Sequence, residues 1–151
     1  MVIVIVDFFR IRVNGIKEGF ILLFGSFLRR HELTRLSGAT YLLLGCLITA
    51  WITSKPVFVA ASAYTIVGDT FAAICGQMLK GPKIFKKTLY GSLGFLISCV
   101  LVALLLHFTI HEPLYALLAG ALAATILEAL PLPWDDNFAV PILTGVVMSL
   151  I

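Results

Sequence analysis

Long apolar runs separated by short polar breaks set the pattern of this chain. Apolar stretches at about 38–54, 57–79, 88–110 and 114–130 read as membrane helices. A fifth, 138–151, ends at Ile151 with Pro141 inside it. The breaks are Lys55-Pro56, the segment 80–87, His111-Glu112-Pro113 and Pro131–Asn137. Nearer the start, 1–9 is apolar but too short to span a bilayer and reads as the last half of a spanning helix. The stretch 19–28 is again too short, which suggests an interfacial or re-entrant helix. The predicted fold is therefore all-α: a polytopic transmembrane helix bundle of about four to five spans plus an interfacial N-terminal helix, in one membrane domain over 1–151.

Composition agrees with the pattern. The chain is 60% hydrophobic and 13% charged, with a mean hydropathy of +1.06, against roughly half apolar and a quarter charged in soluble domains. A β-barrel would show short alternating strands instead. The net charge of +3 gives no case for nucleic acid. Cys46, Cys75 and Cys99 lie singly in apolar runs, so they indicate neither a zinc site nor a disulfide framework.

Where the positive charges fall gives an orientation. Alternating the spans puts 10–37, 80–87 and 131–137 on one side, and that side holds ten of the eleven Lys and Arg residues. Lysine and arginine accumulate in cytoplasmic loops, so these three segments are predicted to be cytoplasmic in a multi-pass membrane protein. The same topology gathers the Arg29–Arg35 cluster, the lysine loop and Asp135-Asp136-Asn137 on one face. Asp69, 11 residues before Lys80, would lie roughly 16 Å below the loop at the rise of a helix.

Asp69 and Glu128 are acids inside apolar runs. A carboxylate in hydrocarbon is costly, which makes each a candidate functional residue. Asp69 offers a hard oxygen for magnesium, and no base in its own span pairs with it. The Gly68, Ala72 and Gly76 stripe reads better as close helix packing than as a site. Lys80-Gly81-Pro82-Lys83, Lys86-Lys87 and Gly91-Ser92 could hold phosphates at a helix start. Alone, this segment is an ordinary positive-inside loop, and it lacks the Walker pattern. Asp135-Asp136-Asn137 offers further metal ligands, although a plain turn has the same composition. His31, His107 and His111 have no ligand spacing.

Together these residues resemble the membrane family of CTP-dependent lipid-alcohol kinases, which includes dolichol, phytol and yeast-type diacylglycerol kinases and is related to phosphatidate cytidylyltransferases. The resemblance rests on Arg29–Tyr41, on VGDTFAAICG at 67–76, on Gly81 with Lys87-Thr88-Leu89-Tyr90-Gly91-Ser92, and on Glu128, Asp136-Asn137 and Pro141. It implies transfer of the CTP γ-phosphate to a polyprenol, phytol or diacylglycerol hydroxyl, with magnesium as cofactor. Carried over by position, Asp69, Glu128 and Arg35 take catalytic roles. Gly68, Lys83, Lys87, Gly91 and Ser92 hold the nucleotide phosphates. Asp69, Asp136 and Asn137 hold magnesium. The chain departs from the family in having Tyr90 where a glutamate is usual. It also lacks the family's upstream helices, so it reads as the C-terminal part of the full domain. Two alternatives remain at this point: cytidylyl transfer to a phospholipid, and a non-catalytic membrane protein or transporter using Asp69.

Overall fold

The computed structural model describes residues 2–12, 18–19, 22, 36–79, 81–85 and 87–151. The predicted Arg29–Arg35 cluster with His31, Lys80 and Lys86, and nearly all of the predicted interfacial helix, lie outside those residues. The described chain forms six main helices: α1 (Val2–Arg12), α2 (Gly38–Ile52), α3 (Lys55–Met78), α4 (Leu89–Ile110), α5 (Leu114–Ala129) and α6 (Asp136–Ser149). Between α3 and α4 sits a two-stranded antiparallel hairpin, β1 (Lys83–Ile84) and β2 (Lys87–Thr88).

The apolar runs set these boundaries to within a few residues, because each polar break contains a helix stop or start. Ser37 caps α2 with its side chain, and Pro56 sits in the first turn of α3, where a missing N–H costs nothing. His111 ends α4 in the left-handed conformation, at φ 59°. Its neighbour His107 contacts the Glu112 carbonyl through Nδ1 at 2.7 Å, a structural role at the helix end. Pro141 does not break α6. It is buried in the contact with α2, where Gly45 lets the two backbones approach.

Helices α3 and α4, of 24 and 22 residues, are long and apolar enough to cross a membrane. Helices α2, α5 and α6 are apolar but have 15, 16 and 14 residues, short of the roughly 20 that an upright crossing needs. By length alone, two of the expected spans are met.

Helix α3 is central, touching α2, α4, α5 and α6. Its small residues permit this. A Cβ on Gly68 would run into the Phe95 ring, and Gly76 lies against Thr88 and Gly91 at the start of α4. The expected packing stripe is therefore real, and it brings α4 close beside Asp69. The core joins Ala60 and Tyr64 of α3 to Phe95, Cys99 and Ala103 of α4, Leu117 and Ala121 of α5, and Val140 of α6. Tyr64 donates its hydroxyl to the Leu117 carbonyl at 2.9 Å, satisfying a buried polar group across the α3–α5 contact. Hydroxyls of Thr49, Thr65 and Thr125 bond the carbonyl four residues back, which lets them sit in apolar helices without an outside partner.

Helix α1 attaches by polar contacts. The buried Asp7 carboxylate accepts the Ser37 N–H at 2.6 Å and the Thr40 hydroxyl at 2.7 Å, and pairs with buried Arg10 at 2.6 Å. One carboxylate thus caps the start of α2 from outside the helix. The stretch expected to be a plain apolar half-span is a helix that runs on to Arg12 and carries a buried ion pair.

Candidate functional site

Four elements bring the candidate residues to one end of the bundle. Asp69 stands on α3, Lys87 on β2, Glu128 in the last turn of α5, and Asp136 at the first position of α6. The hairpin does the decisive positioning. Phe85 turns it with φ 55°, and the register sets Ile84 opposite Lys87 and Lys83 opposite Thr88. Lys87 thereby reaches between α5 and α6, while Lys83 stays exposed. Leu130 to Asp135 reverse the chain after α5, and Asp135 caps α6 by accepting the Asn137 N–H at 3.0 Å. Glu128 and Asp136 then converge on a single cation.

Lys87 Nζ lies 2.9 Å from Glu128 Oε1 and 2.8 Å from Asp136 Oδ2. The Glu128 side chain is 4% exposed and that of Lys87 is 31% exposed. Burial pushes the Lys87 pKa down, but the hydrogen bonds and charges of Asp136 and Glu128 more than offset it and hold the ammonium above its ordinary value. Lys87 is therefore charged at neutral pH. Glu128 Oε2 is buried and has no hydrogen-bond partner among the described residues. A buried acceptor left open in this way is uncommon.

That open oxygen belongs to a residue lining a cavity of about 270 Å³, together with Asp69, Ala72, Lys87, Thr88 and Gly91. Asp69 makes no ion pair or hydrogen bond among the described residues, so both acids are available to a ligand in the cavity. Among the described residues no three His, Cys, Asp or Glu side chains cluster as a ready-made metal cage. Magnesium, however, is ordinarily held by one or two carboxylates with substrate phosphates and waters completing the shell. Asp69 and Glu128 on one cavity suit that arrangement.

The other predicted residues divide. Gly91 lines the cavity, but its N–H already bonds the Thr88 Oγ1 that caps α4, at 3.1 Å. Ser92 Oγ is buried without a partner among the described residues. Gly68 packs on Phe95 and is not among the residues lining the Asp69 cavity. Asp136 lies on the far side of Lys87, where it lines a second cavity of about 330 Å³ with Trp134 and Asp135. Asn137 and Lys83 line neither cavity, and Arg35 lies outside the described residues.

Sequence reasoning assigned no role to Thr88, which both caps α4 and walls the cavity. Its signal was present: a threonine directly before an apolar helix. Asp7 was also passed over, although it meets the criterion that singled out Asp69, an acid inside an apolar run.

Comparison with known proteins finds relatives of the chain. The chain is 31% identical over 140 residues to a probable phytol kinase, chloroplastic, of Triticum aestivum, covering 82% of this chain and 46% of that protein. It is 23% identical over 111 residues to an uncharacterized protein of Rickettsia prowazekii, covering 71% of this chain and 54% of that protein. The chain spans about half the length of the curated relatives it matches. No family model matches the chain, and no solved structure matches it. The likeness to the wheat protein supports a lipid-kinase family.

Proposed function

We propose that the chain carries the catalytic site of a lipid-alcohol kinase that transfers the γ-phosphate of CTP to a membrane alcohol such as phytol or a polyprenol. The observation that carries this reading is the joint placement of Asp69, Lys87 and Glu128 on one cavity, with Glu128 Oε2 open. The similarity to a probable phytol kinase supports it.

Phosphoryl transfer asks mainly for positioning and charge neutralisation. In this reading the Lys87 ammonium leaves its carboxylate partners to meet the phosphate chain, which carries more charge than either. Asp69 and Glu128 would hold magnesium, which would supply positive charge to offset that of the phosphate chain. The acceptor hydroxyl oxygen bonds to the γ-phosphorus as the bond to the β–γ bridging oxygen breaks. CDP departs, and the hydroxyl proton passes to Glu128 Oε2. Helices α2, α5 and α6 join α3 and α4 as tilted or paired membrane segments, with the hairpin and the α5–α6 connection on the cytoplasmic side.

The test is phosphorylation in detergent micelles or liposomes with γ-labelled CTP, magnesium, and a panel of isoprenoid alcohols and diacylglycerol. Label appearing in the lipid, with CDP as the second product, and lost in Asp69→Asn, is the expected result. Pyrophosphate release in place of CDP, or label in the lipid that survives Asp69→Asn, overturns the reading.

A further inference from the structure

A third cavity, of about 450 Å³, opens where the start of α2 faces the α5–α6 connection. Tyr41, Leu44, Pro133, Trp134, Asp135 and Phe138 line it. Nothing in the ion-pair chemistry of the candidate site uses this space. Trp134 and Asp135 also line the cavity beside Lys87 and Asp136, and Lys87 in turn lines the cavity of Asp69 and Glu128. Three spaces therefore lie in series. The series runs from carboxylates and an ammonium at one end to aromatic and aliphatic walls at the other.

The geometry points to this third cavity as the seat of the acceptor's hydrocarbon chain, near its hydroxyl end, with Trp134, Tyr41 and Leu44 selecting the acceptor. The inference rests on the lipid-kinase reading and adds to it the site that recognises the alcohol. Two features favour a hydrocarbon chain over the nucleotide. Among the described lining residues Asp135 is the only charged group, and the rest are aromatic, aliphatic or proline side chains. Asp135 Oδ1 is already engaged in capping α6, so few groups remain to read the edge of a base. Ligand pockets of about 300–1,000 Å³ are mostly apolar with a few polar groups that fix orientation, which describes this series of spaces as a whole. Trp134 is 61% exposed and thus stands at the mouth, where an amphipathic ring can meet a molecule arriving from the bilayer surface.

Intrinsic fluorescence reads the cavity directly, since Trp51 and Trp134 are the two tryptophans. In the Trp51→Phe protein, phytol titrated at fixed detergent is expected to shift Trp134 emission to the blue and to saturate. In the Trp134→Phe protein, Trp51 reports partition into the micelle alone and should not saturate. A parallel kinetic test uses Leu44→Trp, which fills the cavity, and Trp134→Ala, an exposed change that leaves the fold intact. Each is expected to raise KM for phytol about tenfold, the scale on which a pocket contact discriminates, while leaving KM for CTP unchanged. A Trp134 response to CTP but not phytol makes the cavity a nucleotide seat and overturns the inference. An unsaturable response matching that of Trp51 overturns it as well. Saturable phytol binding without phosphorylation upholds the cavity and sinks the kinase reading. Phosphorylation with an unchanged phytol KM in both variants upholds the kinase and sinks the cavity.

Discussion

Replacing Lys87 with methionine tests whether the Glu128–Lys87–Asp136 bridge holds the α5–α6 connection to the hairpin. Methionine keeps most of the apolar stem and removes the charge, leaving the Glu128 carboxylate 96% buried with no cation. Breaking a fully buried pair by deleting one partner costs about 3–5 kcal/mol. Here the lysine is 31% exposed, and the Asp136 arm is 36% exposed on its acid side, so water screens part of the interaction and the Asp136 arm adds at most about 1 kcal/mol. The expected loss is about 2–3 kcal/mol, nearly all from the Glu128 arm. Unfolding by increasing mole fraction of SDS in mixed micelles measures it. The cycle with Glu128→Gln separates the pair from its surroundings, since the double variant no longer buries a lone charge. It should be less destabilised than the sum of the singles by about 1–3 kcal/mol. The pH dependence has a definite sign. The Lys87 pKa is raised in the folded protein, so its contribution is complete below the ordinary lysine value and is lost as pH rises through the higher folded value. The wild-type advantage over Lys87→Met should therefore stay level from neutral pH to the lower edge of lysine titration. A loss under about 1 kcal/mol, or singles that add within about 0.5 kcal/mol, refutes the bridge as a structural element.

Asp69→Asn should abolish lipid phosphorylation while changing stability by less than about 0.5 kcal/mol, because Asp69 holds no partner among the described residues. A large stability loss would make Asp69 structural. Gly68→Ala places a methyl group into the Phe95 ring and should cost about 1–3 kcal/mol by overpacking, with no change if the helices can part freely. Asp7→Asn weakens the cap on α2 and removes the buried Asp7–Arg10 ion pair, so a loss of about 3 kcal/mol is expected in the same micelle assay. An unchanged midpoint would separate α1 from the bundle's stability.

Helix positions were legible because the apolar runs and their breaks obey length and capping rules that act locally. Residues 114–130 predicted α5 at Leu114–Ala129, since Pro113 and Pro131 bracket an apolar run in which Glu128 is the one charged residue. How near the acids lie to the lysine was not legible in this way. Counting helical rise put Asp69 roughly 16 Å below the loop, whereas Asp69 and Lys87 line one cavity. The difference comes from the hairpin and from Gly76 and Gly91, which start α4 alongside the last turns of α3 instead of beyond them. A rise calculation follows one helix and cannot see the next chain segment folding back.

The same limit explains why Asp136 was expected on the metal side and is found across Lys87 from the cavity of Asp69. Composition shows that an acid lies near a basic segment, but the register of the hairpin decides which carboxylate the lysine takes. Here Lys87 takes one oxygen from each of two acids and leaves Glu128 Oε2 without a hydrogen-bond partner among the described residues. A phosphate chain that draws Lys87 away would release Glu128 Oε1 and Asp136 together. The cation that holds the α5–α6 connection in place would then also couple phosphate binding to the space around Trp134, where Asp136 lines the intervening cavity. If so, phytol should bind more tightly with CTP present than without it, and Lys87→Met should erase that difference. Equal phytol affinity with and without CTP in the wild-type chain would leave Lys87 as a phosphate contact with no linking role.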